Sequence, residues 1–151
     1  MSPIRLLRHS VPCALALASL VVCGGEGARY HATIQRTSFG IPHITAGDWG
    51  SLGFGQGYAA AEDHLCSIAD QVVRVRSERA KYFGAGEDNR HLISDVALQA
   101  LGVRERAALD LGTYPTELRA LLDGYVGGIN HYLSQTGIEN VPGWCRGESW
   151  V

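Results

Sequence analysis

One stretch of the sequence concentrates side chains that could bind a metal ion. Within nine residues it carries carboxylates, an imidazole and a thiol, which are the groups that metals bind in proteins. These residues are Glu62, Asp63, His64, Cys66 and Asp70. On a helix, Glu62, Cys66 and Asp70 share a face, whereas Asp63 and His64 point elsewhere. Because there is no His-Glu-x-x-His motif and no pair of Cys-x-x-Cys motifs, we predict no metal ligand and no cofactor here.

Three glycines just upstream could approach a phosphate group. Gly53, Gly55 and Gly57 are spaced two residues apart, as in some nucleotide-binding loops. The third glycine comes one position early for a dinucleotide loop, no buried strand leads directly into it, and no lysine follows it as in a P-loop. We therefore predict that these glycines serve close helix packing rather than nucleotide binding.

The serines and histidines do not form a catalytic pattern. The serines Ser38, Ser51, Ser67 and Ser77 lack a nucleophile-elbow setting. His43 is predicted to be a packed turn residue, and Asp110 and Glu117 flank a connection where solvation is expected. Because no nucleophile, base and oxyanion donors come together, the residues alone predict no catalytic or substrate-binding residue.

A β-hairpin and a long helix are predicted to position these residues. Segments 30–37 and 41–46 read as extended strands, and Gly40 lies in the turn between them. Asp48 is a good N-cap for a short helix that runs into the glycines. Apolar side chains then recur at helical spacing over residues 58–83, which predicts one long helix that ends at Gly84. Its stripe comprises Tyr58, Ala61, Leu65, Ile68, Val72, Val75 and Tyr82.

Two further helices are predicted in the second half of the chain. Residues 93–109 are helix-like, although Gly102 weakens the middle. A third helix begins after Pro115 and ends at Gly137. Its apolar stripe is Leu118, Leu122, Tyr125, Ile129 and Tyr132. Its glycines at 124, 127 and 128 predict close packing against another element.

Composition and charge restrict the class of protein. With 151 residues, 46% of them hydrophobic and 19% charged, the chain is expected to form one globular domain. The net charge of −2 gives no electrostatic reason to expect a nucleic-acid partner.

Residues 1–28 have the pattern of a secretory signal peptide. A basic start is followed by the short apolar run 11–22 and then by small residues. The chain is therefore expected to be exported, as a periplasmic or secreted protein. Residues 20–23 also resemble a lipoprotein cleavage site with Cys23 as the lipid-attachment residue, but Val22 stands where a small residue is usual. Release without lipid is the preferred interpretation, and a membrane partner is expected only if Cys23 is lipidated.

Four cysteines are present, and their positions are consistent with export. Cys13 lies in the signal and Cys23 at its edge, which leaves Cys66 and Cys145. Two cysteines in an oxidising compartment indicate one disulfide. The alternative is that both are buried free thiols.

Four sequence blocks resemble the α chain of the penicillin acylase family, whose members are N-terminal nucleophile (Ntn) hydrolases. Residues 34–44, Ile-Gln-Arg-Thr-Ser-Phe-Gly-Ile-Pro-His-Ile, are similar to the opening of that chain. The later blocks follow in the family's order: a GxGxGYxxAxD pattern at 53–63, ERxxYFG at 78–84 and LLxGYxxGxN at 121–130. Cys66 and residues 145–150 look most like the branch of acyl-homoserine lactone acylases and aculeacin-type acylases.

The resemblance implies amide hydrolysis by a serine at the start of a separate β chain. That serine uses its own α-amine as base. The implied substrate is an N-acyl compound: an acyl-homoserine lactone, a lipopeptide or a β-lactam with an acyl side chain. Residues 29–151 would be the incomplete N-terminal part of the α chain, the β chain would be an obligate partner, and the fragment alone would be inactive.

The implied fold is an α+β fragment, an N-terminal β-hairpin followed by mostly α-helices, within the αββα architecture of Ntn hydrolases. No catalytic residue is carried over, and the motif residues are interpreted as scaffold. In that interpretation Tyr82 and Phe83 belong to the core, and Asp63 and Arg79 form a structural ion pair. Two other functions stay open: a stand-alone secreted binding domain, and a lipid-anchored envelope protein that uses Cys23.

Overall fold

Alternation of apolar and polar residues places the first two elements in an antiparallel hairpin. The computed structural model of the protein describes residues 30–151, so the predicted signal and Cys23 lie outside the described residues. Strand β1 (Ala32–Arg36) pairs with β2 (Pro42–Ala46) in a register that sets Ile34 opposite Ile44. Gly40 has a φ of +81°, as expected for a glycine in the turn. The predicted hairpin is confirmed.

Helix α1 (Trp49–Val75) begins earlier than predicted. Asp48 caps it: the backbone N–H of Ser51 donates to Asp48 Oδ1 at 2.8 Å. The prediction of a separate short helix before residue 58 is wrong, because the helix continues through the three glycines. It bends at His64, whose φ and ψ of −143° and 29° are not helical.

The second half of α1 buries a different face from the one predicted. Val72 and Val75 are exposed, whereas Ala69 and Val73 are buried. The non-helical residue His64 interrupts the regular rotation of side chains, so a stripe extrapolated from the first half misses this face.

The predicted single helix over 58–83 is also wrong, since α1 ends at Val75 and α2 (Arg79–Phe83) follows. Ser77 between them has a φ of +58°. The carboxylate of Asp95 accepts the backbone N–H groups of Arg79 at 3.2 Å and Ala80 at 2.7 Å. The Asp95 side chain thus caps the start of α2, so the backbone N–H groups there have acceptors although the chain has left α1. Gly84, with a φ of +72°, ends α2.

The predicted helix over 93–109 is two helices, α3 (Arg90–Ala100) and α4 (Val103–Leu111). A short 3₁₀ turn, Glu87–Asn89, precedes α3. Gly102 adopts a left-handed φ of +61° between the two helices, which a helix interior does not allow.

Helix α5 (Thr116–Thr136) lies between Pro115 and Gly137, as predicted, and the element that it packs along is α1. Gly137 has a φ of +72°, and a 3₁₀ turn, Ile138–Asn140, follows. The core cluster comprises Ala61, Leu65, Cys66, Tyr132, Val141 and Cys145. The fold class, a hairpin followed by helices, is confirmed. Within residues 30–151, no helix is long and apolar enough to cross a membrane.

Candidate functional site

The centre of the molecule is a glycine-lined contact between α1 and α5. A Cβ atom on Gly53 would overlap with the carbonyl oxygen of Leu121, and one on Gly57 with that of Tyr125. From the other helix, a Cβ on Gly124 would overlap with the carbonyl oxygen of Gly50. The predicted role of these glycines in helix packing is confirmed: the two backbones approach too closely for any side chain.

Gly55 lies on the opposite side of α1, where the hairpin packs against the helix. A Cβ there would meet Ile44 Cγ2 at 2.7 Å and Ala32 Cβ at 2.8 Å. The alternating glycines therefore bring α5 and the hairpin against two sides of one helix turn. No loop for a phosphate remains, since all three glycines are inside α1 and buried.

Arg36, at the end of β1, forms hydrogen bonds with side chains of α1. Its guanidinium donates to Asp63 Oδ2 at 3.0 Å, to Glu62 Oε2 at 2.6 Å and to the carbonyl oxygen of Gly40 at 2.8 Å. Hydrogen bonds to Asp63 and then Glu62 raise the pKa of Arg36 above its usual value. The predicted ion pair between Asp63 and Arg79 is wrong, because Asp63 lies beside Arg36.

Arg79 instead pairs with Asp70 on α1. Its Nε donates to Asp70 Oδ1 at 3.0 Å, and its Nη2 contacts the other carboxylate oxygen. Asp95, buried at 6% exposure, binds the backbone of the same residue. The role of Asp95 was not predicted from the sequence; the available signal was an acid set between the apolar residues Ile93 and Val96 on a predicted helix.

A disulfide joins the C-terminal segment to α1. Cys66 and Cys145, the pair that the sequence indicated, have Cα atoms 5.3 Å apart and are bonded. Cys145 and the neighbouring Val141 are fully buried, so the aperiodic segment after α5 is part of the core. Near it, the ring of Trp150 lies edge-on to that of Phe83 at 5.1 Å.

Two predictions for aromatic and imidazole side chains are wrong. Tyr82 does not lie in the core: it is 36% exposed, with the Lys81 ammonium 4.7 Å from its ring centroid. Phe83 is partly buried and packs on Trp150. His43 is not a packed turn residue, since it lies on β2 with its side chain on the exposed face. Strand alternation places it there.

The candidate metal ligands do not converge. Glu62 and Asp63 bind Arg36, Asp70 binds Arg79, and Cys66 is in the disulfide. Among residues 30–151, no group of three or more His, Cys, Asp or Glu side chains is arranged to hold a metal ion.

A cavity of about 520 Å³ opens between the start of α1 and the start of α5. It is lined by Tyr30, Asp48, Gly50, Thr116, Arg119, Ala120 and Asp123. Hydrogen bonds from the backbone and hydroxyl of Ser51 lower the pKa of Asp48. Because this carboxylate caps α1, it is not a free base. The cavity can hold polar groups, and the Asp48 carboxylate in its lining is already bonded to Ser51.

Comparison with known proteins connects this scaffold to acylases. The family model for penicillin amidase matches residues 31–145. An aculeacin-A acylase from Actinoplanes utahensis is 37% identical over 163 aligned positions, covering 99% of this chain and 21% of that protein. An acyl-homoserine lactone acylase PvdQ from Pseudomonas fluorescens (strain Pf0-1) is 42% identical over 124 aligned positions, covering 80% of this chain and 16% of that protein.

A solved structure has a similar fold. The thermostable penicillin G acylase from Alcaligenes faecalis superimposes with a TM-score of 0.66 at 25% identity, over 74% of this chain and 58% of that one. The present chain spans about a fifth of the length of the curated relatives it matches.

Proposed function

The chain belongs to the penicillin amidase family, and on this premise we propose that it is the N-terminal part of the α chain of an exported acylase. The observation that carries the proposal is the family match over residues 31–145, together with 37% and 42% identity to two acylases. Residues 29–151 then provide scaffold, and the catalytic groups belong to the rest of the precursor.

The proposed reaction is hydrolysis of the amide bond of an N-acyl compound. The hydroxyl oxygen of a serine at the start of the β chain attacks the acyl carbonyl carbon, and the serine's α-amine takes the proton. That proton passes to the leaving nitrogen as the C–N bond breaks and the amine product departs, and water then releases the acid from the acyl-enzyme. Relatives named for acyl-homoserine lactones and for aculeacin A favour a lactone signal or a lipopeptide as substrate over a β-lactam.

The geometry of the described residues supports a scaffold role. The carboxylates that were considered as metal ligands form ion pairs instead; Arg36, for example, binds Glu62 and Asp63. The glycines of α1 are used in backbone contacts with α5. These contacts hold the elements in position, which is what a scaffold contributes to a composite active site.

The proposal includes export through residues 1–28 without lipid on Cys23. Mass spectrometry of the mature N-terminus tests this part. A start near residue 29 with no attached lipid is expected, and a diacylglyceryl group on Cys23 would overturn it.

The proposed function is tested by following the source reading frame beyond Val151 and producing the complete precursor. We expect cleavage into two chains and release of fatty acid from a long-chain acyl-homoserine lactone or a lipopeptide. The matched control replaces the first serine of the β chain by alanine, which should abolish both events. A stop codon directly after Val151, or a correctly cleaved precursor without amidase activity, would refute the proposal.

A further inference from the structure

Helix α3 is turned so that most of its apolar residues face water, although Leu98 is half-buried. Ile93 is 62% exposed, Val96 57% and Leu92 47%, whereas its buried residue is the acid Asp95. A helix at the surface of a monomer ordinarily has the opposite orientation, with its aliphatic side chains on the core. The exposed aliphatic residues of α3 therefore need a separate explanation.

These residues form one continuous face. We call Leu92, Ile93, Val96, Ala97 and Ala100 the α3 outer face; all five are exposed. Their spacings of three and four residues place them on one side of the helix. None of them carries a charge, and Leu101, 66% exposed, follows directly. Contiguous exposed apolar surface of this kind marks an interaction site.

Hydrogen bonds fix α3 in this orientation. Asp95 accepts the backbone N–H groups of Arg79 at 3.2 Å and Ala80 at 2.7 Å. On the same side, His91 Nδ1 lies 3.1 Å from the carbonyl oxygen of Gly84. Rotation of α3 to hide Ile93 would break these bonds and leave the start of α2 uncapped. The outer face is thus a fixed feature of the fold.

Resting on the proposed function, we propose that the α3 outer face docks against the remainder of the same precursor. About four fifths of the sequence of the curated relatives lies outside the part that this chain covers, which supplies a large permanent partner. Uncharged aliphatic surface is typical of the core of obligate interfaces, whereas transient interfaces leave their surfaces in water and are more polar. A second copy of this chain is the alternative occupant.

Thiol accessibility tests the docking face. V96C places a thiol at the centre of the face, and Q71C, at an exposed polar position of α1, is the matched control. Each variant is made in residues 30–151 and in the complete precursor without its signal. Modification by N-ethylmaleimide is followed by mass spectrometry of the peptides. Circular dichroism and the intact Cys66–Cys145 disulfide verify folding.

In the precursor, the V96C thiol is expected to react at least about tenfold more slowly than in residues 30–151, because an excluded thiol ionises poorly. Q71C should react at similar rates in both. Equal V96C rates, or equal slowing of both variants, would overturn the proposal. Protection of V96C in residues 30–151 that increases with protein concentration would assign the face to a second copy.

Hydrolysis measured on the same precursor separates this inference from the proposed function. An active precursor with unprotected V96C leaves the acylase proposal standing and overturns the docking face. If the precursor is folded and inactive but its V96C thiol is protected, the docking face stands and the acylase proposal is overturned.

Discussion

Replacing Gly124 by alanine should destabilise the protein, although alanine is the better helix former. Gly124 lies inside α5 and faces α1. A Cβ atom there would overlap with the carbonyl oxygen of Gly50 and lie 2.9 Å from the backbone nitrogen of Phe54. Both are backbone atoms in a helix and cannot rotate away as a side chain would. The two helices must therefore separate.

The expected loss follows from two opposing effects. Overpacking a close contact costs about 1–3 kcal/mol, and rigid backbone on the opposite side places this site at the upper end. Alanine recovers about 1 kcal/mol through its helix propensity. The free energy of unfolding should therefore fall by about 2 kcal/mol, which corresponds to a melting temperature lower by roughly 6–8 °C for a domain of this size.

Gly127 on the same helix provides a matched control. A Cβ atom there would lie 3.4 Å from Tyr30 Cε2 and 3.7 Å from Phe54 Cδ2, which is ordinary contact with side chains. Gly127→Ala should thus leave stability unchanged or raise it by up to about 1 kcal/mol. Urea denaturation followed by far-UV circular dichroism measures both variants against the parent protein.

The difference between the two variants decides the outcome. If Gly124→Ala is as stable as Gly127→Ala, the α1–α5 contact does not have the backbone approach described above. The role assigned to the glycines would then be wrong.

Three further predictions concern the groups that hold the other elements. Asp95→Ala should lower the free energy of unfolding by about 1–3 kcal/mol because two backbone donors of α2 lose their acceptor; urea denaturation tests this, and an unchanged midpoint would contradict the assigned cap. The pKa of Asp48 is lowered from its usual value of 3.8, so its stabilisation is complete above pH 3.8 and is lost as pH falls through the folded pKa. Urea midpoints at pH 3 and 5 should show this loss in the parent but less of it in Asp48→Ala, and equal losses would refute the assignment. Reduction of the Cys66–Cys145 bond, which closes a loop with a sequence separation of 79, should cost about 4.5 kcal/mol in the chain-entropy model, and identical urea midpoints with and without reductant would exclude that contribution.

Local signals were sufficient to predict most of the fold. The alternating segments gave the hairpin, and the helix ends at Asp48 and Gly137 were predicted from the residues themselves. The break at Ser77 was not predictable in this way. It depends on Asp95, which lies far along the chain and caps α2 only in the folded protein. Gly102 was recognised as a weak point, but its left-handed conformation was not predicted.

Ion pairs were predicted less well than helices, for a related reason. Asp63 was assigned to Arg79, but the bend at His64 and the turn at Ser77 separate the two, and β1 brings Arg36 to Asp63 instead. A partner on another element is chosen by the packing of whole elements, which spacing along one helix does not specify. The packing role of the glycines was easier to predict, because a glycine inside a helix has few functions other than allowing a close contact.

The family resemblance itself has a structural explanation. The block at 53–63 lies on α1 and the block at 121–130 on α5, and Gly53, Gly57, Gly124 and Gly128 lie against the backbone of the opposite helix. The block at 78–84 holds Arg79, which joins α2 to Asp70 on α1 and to Asp95 on α3. The motif residues thus lie on both sides of the contacts between helices, where close packing allows only a few residue types. Residues that recognise an acyl group face different constraints, since a pocket can exchange one apolar side chain for another. The motifs in this part of the chain can therefore identify the scaffold, while under the proposed function the choice among acyl substrates would depend on residues outside them.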